Sequence, residues 1–214
     1  MSNDWWKEAI EKAKTFEDIE AVFHTIWPEL AKAKDIVTDK LEATPAIEGA
    51  ALFKEMQPAA RKVIEHNYDE WLAKTLYSGK PSRDYALLGA MDERDIAYLA
   101  SKGKEPENAA IIINDRLVAG KKAERHQAQG NALTLAEWQM LPKAVNEPEK
   151  VLYDTTDGKL LYVYPSLTDP RHIKVVVEQD VYDKKLKGSH NMVNTVFKID
   201  GNALEDEIRY EKVR

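Results

Sequence analysis

The sequence contains no cysteine, and its nine glycines and nine prolines are thinly spread over 214 residues. Without cysteine, a disulfide scaffold, a thiolate zinc site and a cysteine nucleophile are all excluded. The glycines do not cluster, and the chain has no phosphate-cradling loop, GxGxxG, GxSxG, HExxH or DxDxDG pattern. P-loop nucleotide hydrolysis and zinc-protease chemistry are therefore not expected. No stretch approaches the ~20 apolar residues that cross a bilayer, and the polar, aromatic start Ser2-Asn-Asp-Trp-Trp6 lacks a signal-peptide pattern, so no membrane is expected. An excess of positive charge is missing too. The 31 Lys and Arg face 37 Asp and Glu, a net charge of −6, which argues against a dedicated DNA binder.

That acidity is confined to one half. Residues 1–109 carry 15 basic and 21 acidic side chains, whereas residues 110–214 carry 16 of each. The second half can still meet a polyanion if its cations gather on one face.

The periodicity of the apolar residues predicts helices through residue 101. Thr15-Phe-Glu-Asp18 resembles a capping box, and Pro28 fits the first turn of a helix over roughly 28–43. A long helical pattern over 46–77 is interrupted at Pro58, Ser78-Gly-Lys-Pro-Ser82 is a turn, and 83–101 reads as helix with Asp92 an internal N-cap. Lys102-Gly-Lys-Glu-Pro106 is the best linker, dividing a helical region 1–101 from an α+β domain 107–214. In that domain Ala110–Ile113 is strand-like, 115–129 reads as a helix despite Gly120, and Thr134 with Glu137 opens a helix to about 145 that Pro142 weakens. Val151–Tyr153 and Leu160–Tyr164 read as strands around the Asp157-Gly158 turn. Ile173–Val177 and Met192–Phe197 are two more, giving an antiparallel sheet of about four strands before a closing helix over 203–213.

The densest cluster of chemical groups is Lys121-Lys122-Ala-Glu-Arg125-His126. On a helix Lys122 and His126 share one face, and Lys121 and Arg125 share the next. A histidine exchanges a proton near neutral pH, and flanking cations hold phosphate. These are the parts of metal-free RNA cleavage, in which a ribose 2′-hydroxyl attacks the adjacent phosphorus. The same spacing also describes a solvated basic face with an ordinary surface histidine. His24 and His66 sit among helical apolar and charged neighbours and read as structural. His172, near Arg171 and Lys174, and His190, in the basic run 184–191, are candidates for a second acid/base or a phosphate contact and equally plain loop histidines. Strict alternation on the last strand puts Val193, Thr195, Phe197 and Ile199 on one face and Asn194, Val196 and Lys198 on the other. Tyr153, Tyr162 and Tyr164 suit base stacking or simple β-structure. No carboxylate cluster has metal-site spacing, so neither metal nor cofactor is expected.

Taken together, Ile112–Asp115, Lys122-Ala-Glu-Arg-His126, Leu133–Pro142, Asn146-Glu-Pro148, Val151–Asp154, the Gly158 hairpin and Asn194-Thr-Val-Phe197 resemble the nuclease-like domains of the barnase/EndoU/colicin/RelE fold. Such domains occur at the C-terminus of Mu-like phage minor head (head morphogenesis) proteins. The resemblance implies metal-independent ribonuclease chemistry with His126 as acid/base and Thr195 holding a phosphate oxygen. Lys122 and Arg125 match as basic neighbours, and Lys121, Lys174 and His190 are further phosphate-binding candidates. It also implies RNA as a partner, other phage head proteins or a toxin's immunity protein as alternatives, and residence in the host bacterial cytoplasm or the virion. A catalytically inactive head component built on the same fold is the competing expectation. Tyr85-Ala-Leu-Leu-Gly-Ala-Met91 resembles the region that precedes the domain in those proteins, which makes 1–101 a docking or connecting region and Met1 an artificial boundary or the start of a split gene.

Overall fold

The structure, a computed structural model, describes residues 38–55 and 58–214. The expectations placed on 1–37, including the capping box at Thr15, the start of the helix at Pro28 and the reading of His24, lie outside the described residues. Residues 38–214 form one compact unit.

Helical structure over 38–42 leads to α1 (Ala46–Glu55) and α2 (Pro58–Ser78). Each buries a stripe at helical spacing: Ala46, Gly49, Ala50 and Phe53 on α1, and Ile64, Asn67, Tyr68, Trp71, Leu72 and Thr75 on α2.

The next segment departs from expectation. Tyr85–Ala90 is a strand, β1, and only Glu93–Ser101 is helical (α3). A short apolar run such as Ala86-Leu-Leu88 has no period that separates a buried strand from a buried helix. Here it is decided by pairing with β2 (Ala110–Asn114), whose five residues are all buried. Asp92 does cap α3, closing a reciprocal box with Asp95. The segment 102–106, expected to be an interdomain linker, thus joins α3 to β2 within the unit.

Between β2 and the next strand lie four short helices: α4 (Arg116–Ala119), α5 (Lys121–Ala128), α6 (Leu135–Gln139) and α7 (Leu141–Asn146). The single helix expected over 115–129 is broken at Gly120, whose backbone is extended; a Cβ there would lie 2.4 Å from the Arg116 carbonyl oxygen. Thr134 and Glu137 form the expected capping box. Pro142 stands in the first turn of α7, where its missing N–H costs nothing, so it starts a helix instead of weakening one.

The sheet has seven strands, adding β3 (Lys150–Asp154), β4 (Lys159–Pro165), β5 (His172–Asp183), β6 (Gly188–Ile199) and β7 (Tyr210–Lys212), in the order β1-β2-β6-β5-β4-β3-β7. The pairing is antiparallel except between β2 and β6. The fold is α+β, as expected, with a larger sheet. The closing helix expected over 203–213 is replaced by a 3-10 turn, Gly201–Leu204, and by β7, which completes the edge of β3.

One sheet face packs against helices: α1, α2 and α7 contact β1, and the Tyr162 hydroxyl reaches down to Asp95 of α3 at 3.0 Å. The other face carries a smaller apolar cluster of Leu152, Leu161, Val163, Val176, Leu204 and Tyr210. Cross-strand register places Thr195 beside Val176, and Phe197 beside Lys174, on this second face.

Candidate functional site

Two features of β6 build the site. The first is a bulge: Val176 pairs with Thr195 but Val177 pairs with Val193, so Asn194 is an extra residue. A bulge reverses the alternation, and Val193 and Thr195 fall on opposite faces of the sheet. The expectation that both share one face is thereby corrected. Val193 is buried, while Thr195 is half-buried and turned toward α5. The second feature is an open edge. β2 pairs with β6 only at Asn191 and Met192, and beyond them α5 and its following turn take the place of a strand. The Lys122 ammonium donates to the Asn194 carbonyl at 2.6 Å, and the Lys198 amide donates to the Asn131 carbonyl at 2.8 Å. Edge groups that β2 leaves unpaired are satisfied by side chain and turn.

The break at Gly120 lets α5 start afresh along this edge, with His126 against β6. His126 Nε2 lies 3.1 Å from Thr195 Oγ1, and Nδ1 lies 3.1 Å from Asn131 Oδ1. The imidazole stacks on Phe197, with ring centroids 5.0 Å apart and planes 16° apart. Lys122, Arg125, His126, Gln129, Asn131, Asn194, Thr195 and Phe197 line a solvent-open depression of about 380 Å³. Among the described residues no carboxylate lines it. On its other side His126 borders an apolar cavity of about 220 Å³, whose walls include Leu117, Leu133, Trp138 and Val196.

Electrostatics follow from these surroundings. Burial lowers the His126 pKa, the hydrogen bond with Asn131 opposes that shift, and the Arg125 and Lys122 charges lower it further. Lys122 is also lowered, first by burial and then by Arg125 and Lys159, with Glu178 opposing. Asn194 Nδ2 donates to Glu178, which pairs with Lys159 at 2.8 Å, so the polar network continues across the sheet.

Of the residues picked out from sequence, His126, Thr195, Lys122 and Arg125 converge on the depression. Lys121 is exposed on α5 and does not line it. Lys174 is buried one strand away, donating to the Tyr210 hydroxyl at 3.3 Å and lying 5.4 Å from the Phe197 ring centroid, so it underlies the site without opening into it. His190 lies elsewhere: it pairs in register with Val181, is buried, and places Nδ1 2.9 Å from a Glu42 oxygen. Placement thus separates His190 from the residues that line the depression. His172 stands 3.6 Å from Glu149, and His66 3.6 Å from Glu70. Asn131, Gln129 and Asn194 are site residues that sequence reasoning missed. The Gly130-Asn131 pair after the His126 helix was the available signal, since it marks a turn that returns the chain to its own helix. Among the described residues no group of three or more His, Asp or Glu is placed to hold a metal, and no helix is long and apolar enough to cross a membrane.

No family model matches the sequence, and no solved structure matches it. Among curated proteins, the chain is similar to the Mu-like prophage FluMu F protein of Haemophilus influenzae, with 21% identity over 145 residues. The match covers 66% of this chain and 34% of that protein, so the chain spans about a third of its relative's length. The similarity supports a phage origin for the chain.

Proposed function

We propose that this phage-related chain carries a nuclease-like domain of the barnase/EndoU/colicin/RelE type that cleaves RNA by histidine acid/base chemistry. The observation that carries the reading is the convergence of His126 Nε2, Thr195 Oγ1 and two cations on one depression, which no carboxylate among the described residues lines. A neutral imidazole at Nε2 accepts the proton of a ribose 2′-hydroxyl as that oxygen bonds to the adjacent phosphorus. The phosphorus–5′-oxygen bond breaks, leaving a 2′,3′-cyclic phosphate, and the departing oxygen takes a proton from water on the open side. Thr195 donates to a non-bridging oxygen, and Lys122 and Arg125 oppose the charge that grows there. The protein would act in the host bacterial cytoplasm or travel in the virion.

The test is incubation with total RNA in EDTA, comparing wild type with His126→Ala. Cleavage that disappears in the variant supports the reading. Intact RNA over a wide range of protein concentration would move the assignment to the second reading, a head-assembly or virion component that uses the same fold for interaction with other phage proteins. That alternative draws on the prophage match.

A further inference from the structure

His126 can act as a base at Nε2 only if its neutral form carries the proton on Nδ1. The imidazole alone does not impose this, because free imidazole side chains favour the opposite tautomer. The partner of Nδ1 imposes it. That partner is Asn131 Oδ1, a carbonyl oxygen that only accepts.

Asn131 is itself held on three sides. Its amide donates to the His126 carbonyl at 3.0 Å, and its carbonyl accepts from the Lys198 amide at 2.8 Å. The preceding Gly130, with φ of 68°, presents its carbonyl to Arg171 Nη1 at 3.1 Å. Arg171 is in turn fixed by Asp169, which also pairs with Lys198 at 3.0 Å. The 129–131 turn is therefore clamped between the C-terminus of α5, the edge of β6 and the 169–171 loop. A carbonyl oxygen on so rigid a mount defines both the tautomer and the plane of the ring it faces.

We infer that Asn131 is a positioning residue, locking His126 as the Nδ1–H tautomer with the Nε2 lone pair directed at Thr195 and the depression. The kinetic consequence rests on the RNA-cleavage reading, whereas the tautomer does not. With Asn131 removed, the ring loses its anchor and the Nε2–H form gains population. An aspartate at 131 can only accept, so it preserves the Nδ1–H form.

The test is a long-range proton–nitrogen spectrum of the full chain labelled with 15N-histidine, recorded at about pH 8 where His126 is neutral. The His126 signals are identified by their loss in His126→Gln. The expected pattern is Nδ1–H in wild type and in Asn131→Asp, with a shift toward Nε2–H in Asn131→Ala. A wild type in the Nε2–H form, or an Asn131→Ala protein with an unchanged pattern, would overturn the inference. The spectra also show whether each variant is folded. In RNA cleavage, Asn131→Ala is expected to lower kcat by roughly tenfold or more with little change in KM, and Asn131→Asp to recover most of it. An Nδ1–H signal in a wild type that leaves RNA intact would count against the cleavage reading and for the placement of Asn131.

Discussion

Thr195 Oγ1 and His126 Nε2 stand 3.1 Å apart although 69 residues separate them in the chain. The contact exists because the Asn194 bulge turns Thr195 out of the helix-packed face, and because β2 stops short and leaves the edge of β6 to α5. Thr195→Val removes the hydroxyl while keeping the branched shape. RNA cleavage is expected to fall by about 10²-fold, the loss typical of one donor to a developing oxyanion, with an unchanged melting temperature. Thr195→Ser is expected to retain most activity. Kinetics and thermal melting of both variants check this; a Thr195→Val protein as active as wild type would remove the hydroxyl from the mechanism.

The depressed pKa of His126 sets a pH profile. Burial is the largest cause, and the charges of Arg125 and Lys122 add to it. The ascending limb of kcat/KM is therefore expected below the ordinary histidine value of about 6.5. Neutralising either cation, as in Arg125→Gln or Lys122→Gln, removes repulsion of the imidazolium and moves the limb upward. Stability has the matching sign. A folded-state pKa below the unfolded one means stability is lost as pH falls through the folded value. A histidine NMR titration measures the shift directly, and a limb that moves down in Arg125→Gln contradicts the electrostatic account.

Glu137 is fully buried and organises the loop over α6. It accepts from the Thr134 amide at 2.8 Å, from Ser166 and from the Leu167 amide, and it pairs with Lys198 at 3.1 Å. Burial pushes its carboxyl up, but the hydrogen bonds from Ser166, Thr134 and Lys198 outweigh that and hold it at about 2. Its contribution is thus complete above the ordinary value of 4.5 and disappears as pH falls toward 2. Glu137→Ala leaves the buried Lys198 ammonium with Asp169 as its remaining counter-charge and removes the acceptor of the Thr134 and Leu167 amides, and is expected to cost roughly 1.5–3 kcal/mol. Urea unfolding should show the double variant Glu137→Leu/Lys198→Met to be less destabilised than Glu137→Ala alone. Equal losses would mean that the ion pair is not the origin.

Arg214 closes the other end of the sheet. Its guanidinium holds Asp95 through Nε at 2.7 Å and Nη2 at 3.2 Å, and Asp95 also accepts from the Tyr162 hydroxyl at 3.0 Å. Asp95 is completely buried, so Arg214→Ala leaves a carboxylate without its counter-charge and is expected to cost about 3–5 kcal/mol. Tyr162→Phe removes one hydrogen bond to a charged group and is expected to cost about 1.5–3 kcal/mol. Denaturant titrations of both variants test the order; Tyr162→Phe exceeding Arg214→Ala would invert it.

Much of the site's chemistry was legible in local spacing. Lys122 and His126 share a face because they are four residues apart on a helix, and Thr134 with Glu137 announces its capping box for the same local reason. The strands around Asp157-Gly158 are equally local, set by a turn and a period of two. Other elements were not legible because their identity depends on a distant partner. Ala86-Leu-Leu88 becomes a strand through β2, and Tyr210–Lys212 becomes one by pairing with β3 instead of extending a helix.

The sequence by itself determined that no cysteine thiolate takes part in any chemistry here, since it holds no cysteine, and that the cation–histidine cluster lies in the half without net charge. Tertiary structure alone decided which side chains meet. Strict alternation grouped Thr195 with Val193, and a single inserted residue at Asn194 separated them. His190 has the same basic neighbourhood in sequence as His126, yet its place on β6 buries it against Glu42. The reason is physical: helical and strand periods act over a few residues, whereas a bulge, a strand that ends early and a clamped turn exist only once distant segments have paired.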